Sequence, residues 1–234
     1  MKNYSITLPS YSIGDNVYGK IGEICEPYGK KVICIGGKTA IGKVKDLIIN
    51  ECKGTNLEIL DFLWYGGDAT YENVNKLKEN ELVKQADMIF GIGGGKALDT
   101  AKALAYMTNK EIFTFPTIAS NCAGTTAVSI MYNADGSFKE PFFFLAPARH
   151  CFIYTPVIAK SPAKYMWAGI GDTYAKYFEA EMSSRGEDLV HYHALGVTTS
   201  QMCLTPLLKY GKKALEDFKS GTASFEVEQV VLAI

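Results

Sequence analysis

Gly93-Gly94-Gly95-Lys96 stands between an apolar run, Met88-Ile89-Phe90-Gly91-Ile92, and a segment whose Ala97, Leu98, Ala101, Leu104 and Ala105 recur at helical spacing. A glycine-rich turn thus joins a buried strand to a helix start. Glycines let an anion approach the backbone, and the free amides and dipole of a helix N-terminus favour a phosphate. The turn is not a Walker A loop, because Ala97 follows Lys96. It is not GxGxxG either, because Lys96 stands in the place of the last glycine. The competing reading is a tight strand–helix turn with no ligand.

A second polar stretch follows the next strand candidate, Ile112-Phe113-Thr114-Phe115, which Pro116 ends. Residues 117–129 (TIASNCAGTTAVS) crowd hydroxyl and amide side chains at the end of that strand. In open α/β sheets ligands sit at this carboxyl edge. A polar turn plus an N-cap for the next element is the bland alternative. Further on, Asp172 follows Gly169-Ile170-Gly171 and precedes Thr173–Glu179, and reads locally as a helix N-cap. Three histidines are present. His191 and His193 are two apart, hence on different faces of a helix, and read as surface or structural. His150 follows Pro147-Ala148-Arg149 in a predicted turn and reads as a bystander.

The elements that would position these residues alternate. Lys31–Ile35 reads as a buried strand ending at Gly36-Gly37, followed by a helix over 40–53, a short strand over 57–60, a break at Gly66-Gly67-Asp68 and a helix over 71–85. Strands alternating with helices predict a parallel sheet. Asn133-Ala134-Asp135-Gly136 predicts a turn between strands at 128–132 and 142–145. Residues 151–154 are the last strand candidate. After Pro156 only helical patterns remain, the first with Ser161 as N-cap and Pro162 at its first position. The predicted division is 1–157, an α/β nucleotide-binding domain, and 158–234, a partial all-helical domain. Phe225, Val227, Val230, Val231 and Ile234 form an apolar stripe that runs to the last residue, so the chain is expected to be truncated within the helical domain, with that stripe left exposed.

Composition narrows the function classes. The 234 residues carry a net charge of −1 with no basic run, which argues against nucleic acid as a partner. The six cysteines form no CxxC pair, so no zinc finger or redox dithiol is signalled, and the several that sit inside apolar runs read as buried thiols of a reducing cytoplasm. No apolar run reaches the length of a membrane span, and the first residues lack a signal-peptide core.

Three segments, GGGKALDTAKA, FPTIASNCAGTTAVSIMY and GIGDTYAKYFEAE, resemble the iron-containing alcohol dehydrogenase superfamily, and within it the glycerol dehydrogenase branch. The resemblance covers essentially the whole chain. It implies a Rossmann-like parallel-sheet domain followed by a helical, dehydroquinate synthase-like domain. It also implies hydride transfer between an alcohol or polyol and NAD or NADP, a Zn²⁺ or Fe²⁺ ion, and homo-oligomerisation of the intact family member. By resemblance, Gly94, Gly95 and Lys96 approach the pyrophosphate, with Asp99 in the same motif. Thr117 and Ser120 contact the adenosine or ribose side, and Thr125, Ala127 and Tyr132 line the nicotinamide. Asp172 matches a metal ligand. The other two ligands are histidines that match nothing before Ile234, leaving one ligand of three and an expectation of little activity from residues 1–234 alone.

Two departures bear on specificity. Where many NAD-specific relatives carry a ribose-binding acid, this chain has Gly36, Gly37 and Lys38, and Lys38 suits a 2′-phosphate. Cys122 stands where glycerol dehydrogenases carry a polyol-binding Asp, which opens a hydroxy- or oxo-acid as an alternative substrate. A catalytically inactive nucleotide-binding fragment is the reading from a different class.

Overall fold

The computed structural model describes residues 5–234. The chain divides into two compact units. One comprises 7–117 and 122–157; the other comprises 118–121 and 158–234 with residues 5 and 6.

The first unit is built on a six-stranded parallel sheet. In chain order its elements are β1 (Tyr11–Gly14), α1 (Ile21–Cys25), β2 (Lys31–Gly36), α2 (Lys38–Cys52), β3 (Glu58–Trp64), α3 (Tyr71–Lys78), α4 (Glu81–Gln85), β4 (Met88–Gly93), α5 (Gly95–Thr108), β5 (Glu111–Pro116), β6 (Val128–Tyr132), β7 (Phe138–Phe143) and β8 (His150–Tyr154). The sheet order is β1-β8-β5-β4-β2-β3, and β6 and β7 form a separate antiparallel pair. β2 and β4 are continuous apolar runs because helices and loops cover both faces of a parallel sheet. Successive side chains alternate between those faces. Ile33, Ile35 and Ile89 pack with Val74, Leu77, Leu104 and Met131 on one. Phe90, Phe113, Phe115 and Phe152 form an aromatic layer on the other, joined by Tyr18.

Several predicted boundaries shift. The helix predicted over 71–85 is two helices, because Asn80 caps a new one, accepting from the amides of Leu82 and Val83. β3 runs to Trp64, well past the predicted strand. β7 begins at Phe138 rather than 142, paired with Tyr132 across the turn. His150 lies in β8 and not in a turn. It is buried, with its ring nitrogens 2.7 and 3.0 Å from the hydroxyls of Ser10 and Ser12, and burial holds its pKa below the ordinary histidine value.

The second unit holds α7 (Ala163–Ser183), α8 (His191–Lys219) and α9 (Phe225–Ala233), preceded by the short α6 (Thr155–Ala159) that leads out of β8. Ser161 does not cap α7: Pro162 holds the N-cap position, and the Ser161 hydroxyl is buried without a partner. Asp172 is not an N-cap either, since α7 begins nine residues earlier at Ala163. The stripe on α9 is not exposed as expected. Val227, Val230 and Val231 are buried, and Ser224 caps the helix through the Val227 amide.

One carboxylate ties the lower edge of the sheet. Asp87, just before β4, accepts from the amides of Lys30 and Lys31 at 2.8 Å each, and these bonds hold its pKa below the ordinary carboxyl value. A depressed folded-state pKa contributes stability that is present above the unfolded value of about 3.9 and is lost as pH falls through the folded value. Asp87→Asn is therefore expected to be less stable than the parent at neutral pH, with the gap closing in acid. A gap constant from pH 7 down to pH 2 in urea unfolding would contradict this.

Candidate functional site

The sheet changes direction between β2 and β4. From β2 the chain passes through α2 to β3 on one side; β4 then pairs with the other side of β2 and leads through α5 to β5. Such a switch point opens a crevice at the carboxyl ends of the two strands. Both strands end there in glycines, and both run straight into a helix.

Those glycines are required by close approach. A Cβ on Gly36 would stand 2.5 Å from the Ile92 carbonyl oxygen. Gly93 has φ +144°, and its Cβ would stand 2.9 Å from that of Ala97. The Gly37 amide donates to the Ile92 carbonyl at 3.3 Å, which fixes the two turns side by side. Gly37 and Gly94 are the N-caps of α2 and α5, and neither helix start has a side-chain cap. Two helix N-termini therefore present first-turn amides at one crevice with no side chain to satisfy them, which is the donor chemistry a diphosphate needs. The residues fit a dinucleotide on that ground.

Around this cradle the other predicted residues take distinct places. Thr117 is buried, and its amide donates to the Gly93 carbonyl at 3.1 Å, so the end of β5 lies against the glycine turn. Lys96 keeps its backbone at the helix start, but its ammonium is 2.6 Å from Asp68 and 4.7 Å above the Tyr132 ring. The Asp68 hydrogen bond holds the Lys96 pKa above the ordinary lysine value. In the sequence Gly66-Gly67-Asp68 marks only a chain break, whereas in the structure that turn delivers a carboxylate to the motif lysine. The Lys38 ammonium lies 4.7 Å above the Trp64 ring at the end of β3. Cys122 is half-buried, and its carbonyl accepts from both the amide and the hydroxyl of Thr125, at 3.0 and 3.1 Å, closing a small turn. The Ala127 carbonyl accepts from the Phe144 amide, and the Tyr132 amide donates to the Ala69 carbonyl. Ser120 lies in the 118–121 segment, which groups with the helical unit.

Asp99 does not extend into the crevice. Its carboxylate is buried against the ammonium of Lys102 at 3.1 Å. Burial pushes the carboxyl up and the ammonium down from their ordinary values, against the mutual attraction that opposes both shifts.

A divalent cation does not fit the residues of this chain by themselves. Asp172 is half-exposed on α7 and pairs with Lys176 at 3.4 Å. Among the described residues no three His, Cys, Asp or Glu side chains gather as a metal-binding group. One carboxylate is too few for an ion that takes three or four protein ligands. Dialysis of residues 1–234 against Zn²⁺ is expected to leave no stoichiometric ion. One equivalent bound per chain, and lost in Asp172→Ala, would contradict this. Among the described residues no helix is long and apolar enough to cross a membrane.

The family model for iron-containing alcohol dehydrogenase matches residues 9–150. Glycerol dehydrogenase of Escherichia coli O6:H1 is 29% identical over 227 residues, covering 95% of this chain and 62% of the relative. Hydroxycarboxylate dehydrogenase A of Escherichia coli K12 is 36% identical over 131 residues, covering 56% of this chain and 36% of the relative. Among solved structures, glycerol dehydrogenase from Schizosaccharomyces pombe superposes with a TM-score of 0.85 at 25% identity, covering all of this chain and 60% of that one. The chain thus spans about three-fifths of the length of these two glycerol dehydrogenases, which are oxidoreductases.

Proposed function

Since the chain belongs to the iron-containing alcohol dehydrogenase family, we propose that it forms the dinucleotide-binding part of an alcohol or polyol dehydrogenase that uses NAD or NADP. The observation that carries this reading is the pair of uncapped helix starts at the β2/β4 switch point. When bound, the nicotinamide ring supplies the hydride donor or acceptor. The chain's own residues bind and orient. Backbone amides at Gly94, Gly95 and Lys96 hold the pyrophosphate, and Thr117 and Ser120 meet the adenosine side. Thr125, Ala127 and Tyr132 flank the nicotinamide. A Zn²⁺ or Fe²⁺ ion in this proposal takes Asp172 as one ligand and its other ligands from outside residues 1–234. The enzyme in this proposal is a cytoplasmic homo-oligomer. Isothermal titration with NAD tests the binding claim: one equivalent per chain is expected, and no heat above dilution would overturn it.

Cofactor preference follows from the first glycine turn. It offers no carboxylate to a ribose 2′-hydroxyl, while Lys38 supplies a cation nearby. NAD and NADP are expected to bind within about tenfold of one another. Gly37 has an extended backbone, φ −75° and ψ 142°, and a Cβ there would meet nothing closer than 3.7 Å. Gly37→Asp is therefore tolerated by the fold and should shift preference toward NAD, by hydrogen bonding to the ribose and repulsion of a 2′-phosphate. A strong preference for NAD in the parent, unmoved by the substitution, would contradict this.

A second reading keeps the site and changes the substrate to a hydroxy acid. Cys122 favours it, because a thiol anchors polyol hydroxyls less well than a carboxylate and does not repel an acid. The resemblance to hydroxycarboxylate dehydrogenase A runs in the same direction.

A further inference from the structure

Asp99 and Lys102 lie one turn apart on α5, with side chains only 10% and 2% exposed. A buried ion pair of this kind loses much of its attraction to desolvation, and a packed apolar pair of similar volume often stabilises a fold as well or better. What an apolar pair cannot do is reach backbone polar groups. This one does so repeatedly along a single short stretch. Lys102 Nζ donates to the carbonyls of Val128 at 2.5 Å and Thr126 at 3.3 Å. Asp99 Oδ2 accepts from the Ile130 amide at 3.3 Å. The main-chain carbonyl of residue 99, independent of the ion pair, accepts from the Ser129 hydroxyl at 2.9 Å. Residues 126, 128, 129 and 130 are thereby all bonded to one turn of α5.

The stretch needs such anchoring. β6 pairs with β7 in a two-stranded sheet, and an isolated two-stranded ribbon is marginal in water. Thr125 and Ala127 precede the anchored carbonyls, and Tyr132 follows the anchored amide. We propose that Asp99 and Lys102 are positioning residues that register 126–130 against α5 and so place Thr125, Ala127 and Tyr132 for the nicotinamide end of the cofactor. Neither side chain touches the cofactor. The inference rests on the cofactor reading given above and assigns the motif's aspartate to the loop beside the site.

The full chain carrying Asp99→Leu together with Lys102→Met tests it, since removing both charges leaves no unpaired buried ion and takes away the acceptor of the Ile130 amide. Three quantities are read: amide hydrogen exchange at Val128–Ile130, affinity for NAD, and affinity for ADP-ribose, which lacks the nicotinamide. Expected are faster exchange at Ile130, about tenfold weaker NAD binding and unchanged ADP-ribose binding. The milder pair Asp99→Asn with Lys102→Met keeps an acceptor for the Ile130 amide and should weaken NAD about threefold. A merely structural role would weaken both ligands together, and that result would overturn the proposal, as would unchanged exchange at Ile130. A parent chain that binds neither probe would overturn the cofactor reading itself, while the exchange data still report whether the clamp exists.

Discussion

Gly94→Val is expected to lower dinucleotide affinity by about a hundredfold, through loss of two charge-assisted bonds from helix-start amides to the pyrophosphate. The effect is steric and local. Gly94 sits at φ −94° and ψ −174°, extended backbone that valine adopts without strain. A branched Cβ would occupy the space the phosphate oxygens need. The poorer N-cap costs the helix about 0.5–1 kcal/mol, too little to unfold the unit. Thermal unfolding of the variant should therefore resemble the parent while calorimetry shows binding lost. Equal affinity in parent and variant would move the phosphate away from this turn.

Phe115→Ala is expected to destabilise the sheet-bearing unit by about 3–5 kcal/mol. Phe115 is fully buried at the end of β5. Its ring meets Tyr18 edge-on at 5.4 Å, Phe90 at 4.8 Å and Phe152 stacked at 4.8 Å. Truncation leaves a cavity that rigid rings on neighbouring strands cannot collapse into. The same residue precedes Pro116 and Thr117, so the loss of packing should also loosen the strand end that abuts Gly93. Urea unfolding measures the effect; a change below about 1 kcal/mol would show that the aromatic layer is not the mechanical support of the site.

Legibility in the sequence tracked how local each signal was. β2 and β4 stood out as uninterrupted apolar runs because a parallel sheet buries both faces, and the helix after Gly95 announced itself by its small apolar residues. The parallel α/β fold with following helices was legible for that reason, and the motif order made the family legible as well. Tertiary choices were not. Nothing local says that Lys96 turns to Asp68, twenty-eight residues away, or that Asp99 turns inward to Lys102. Their i,i+3 spacing was visible, but an exposed pair on a helix surface has the same spacing. Asp172 looked like a cap because glycines precede it, yet α7 runs straight through Gly169 and Gly171, since packing of a long helix outweighs the roughly 1 kcal/mol cost of each glycine. His150 looked idle because its two serine partners come from the far N-terminal strand region.

The central claim is that the paired helix starts at the β2/β4 crevice hold a dinucleotide. Amide hydrogen exchange of residues 1–234 with and without saturating NAD tests it most directly. Selective slowing at Gly37–Lys38, at Gly94–Lys96 and at Thr117 is the predicted result. Protection that spares all three segments, or none anywhere at saturating ligand, would contradict it.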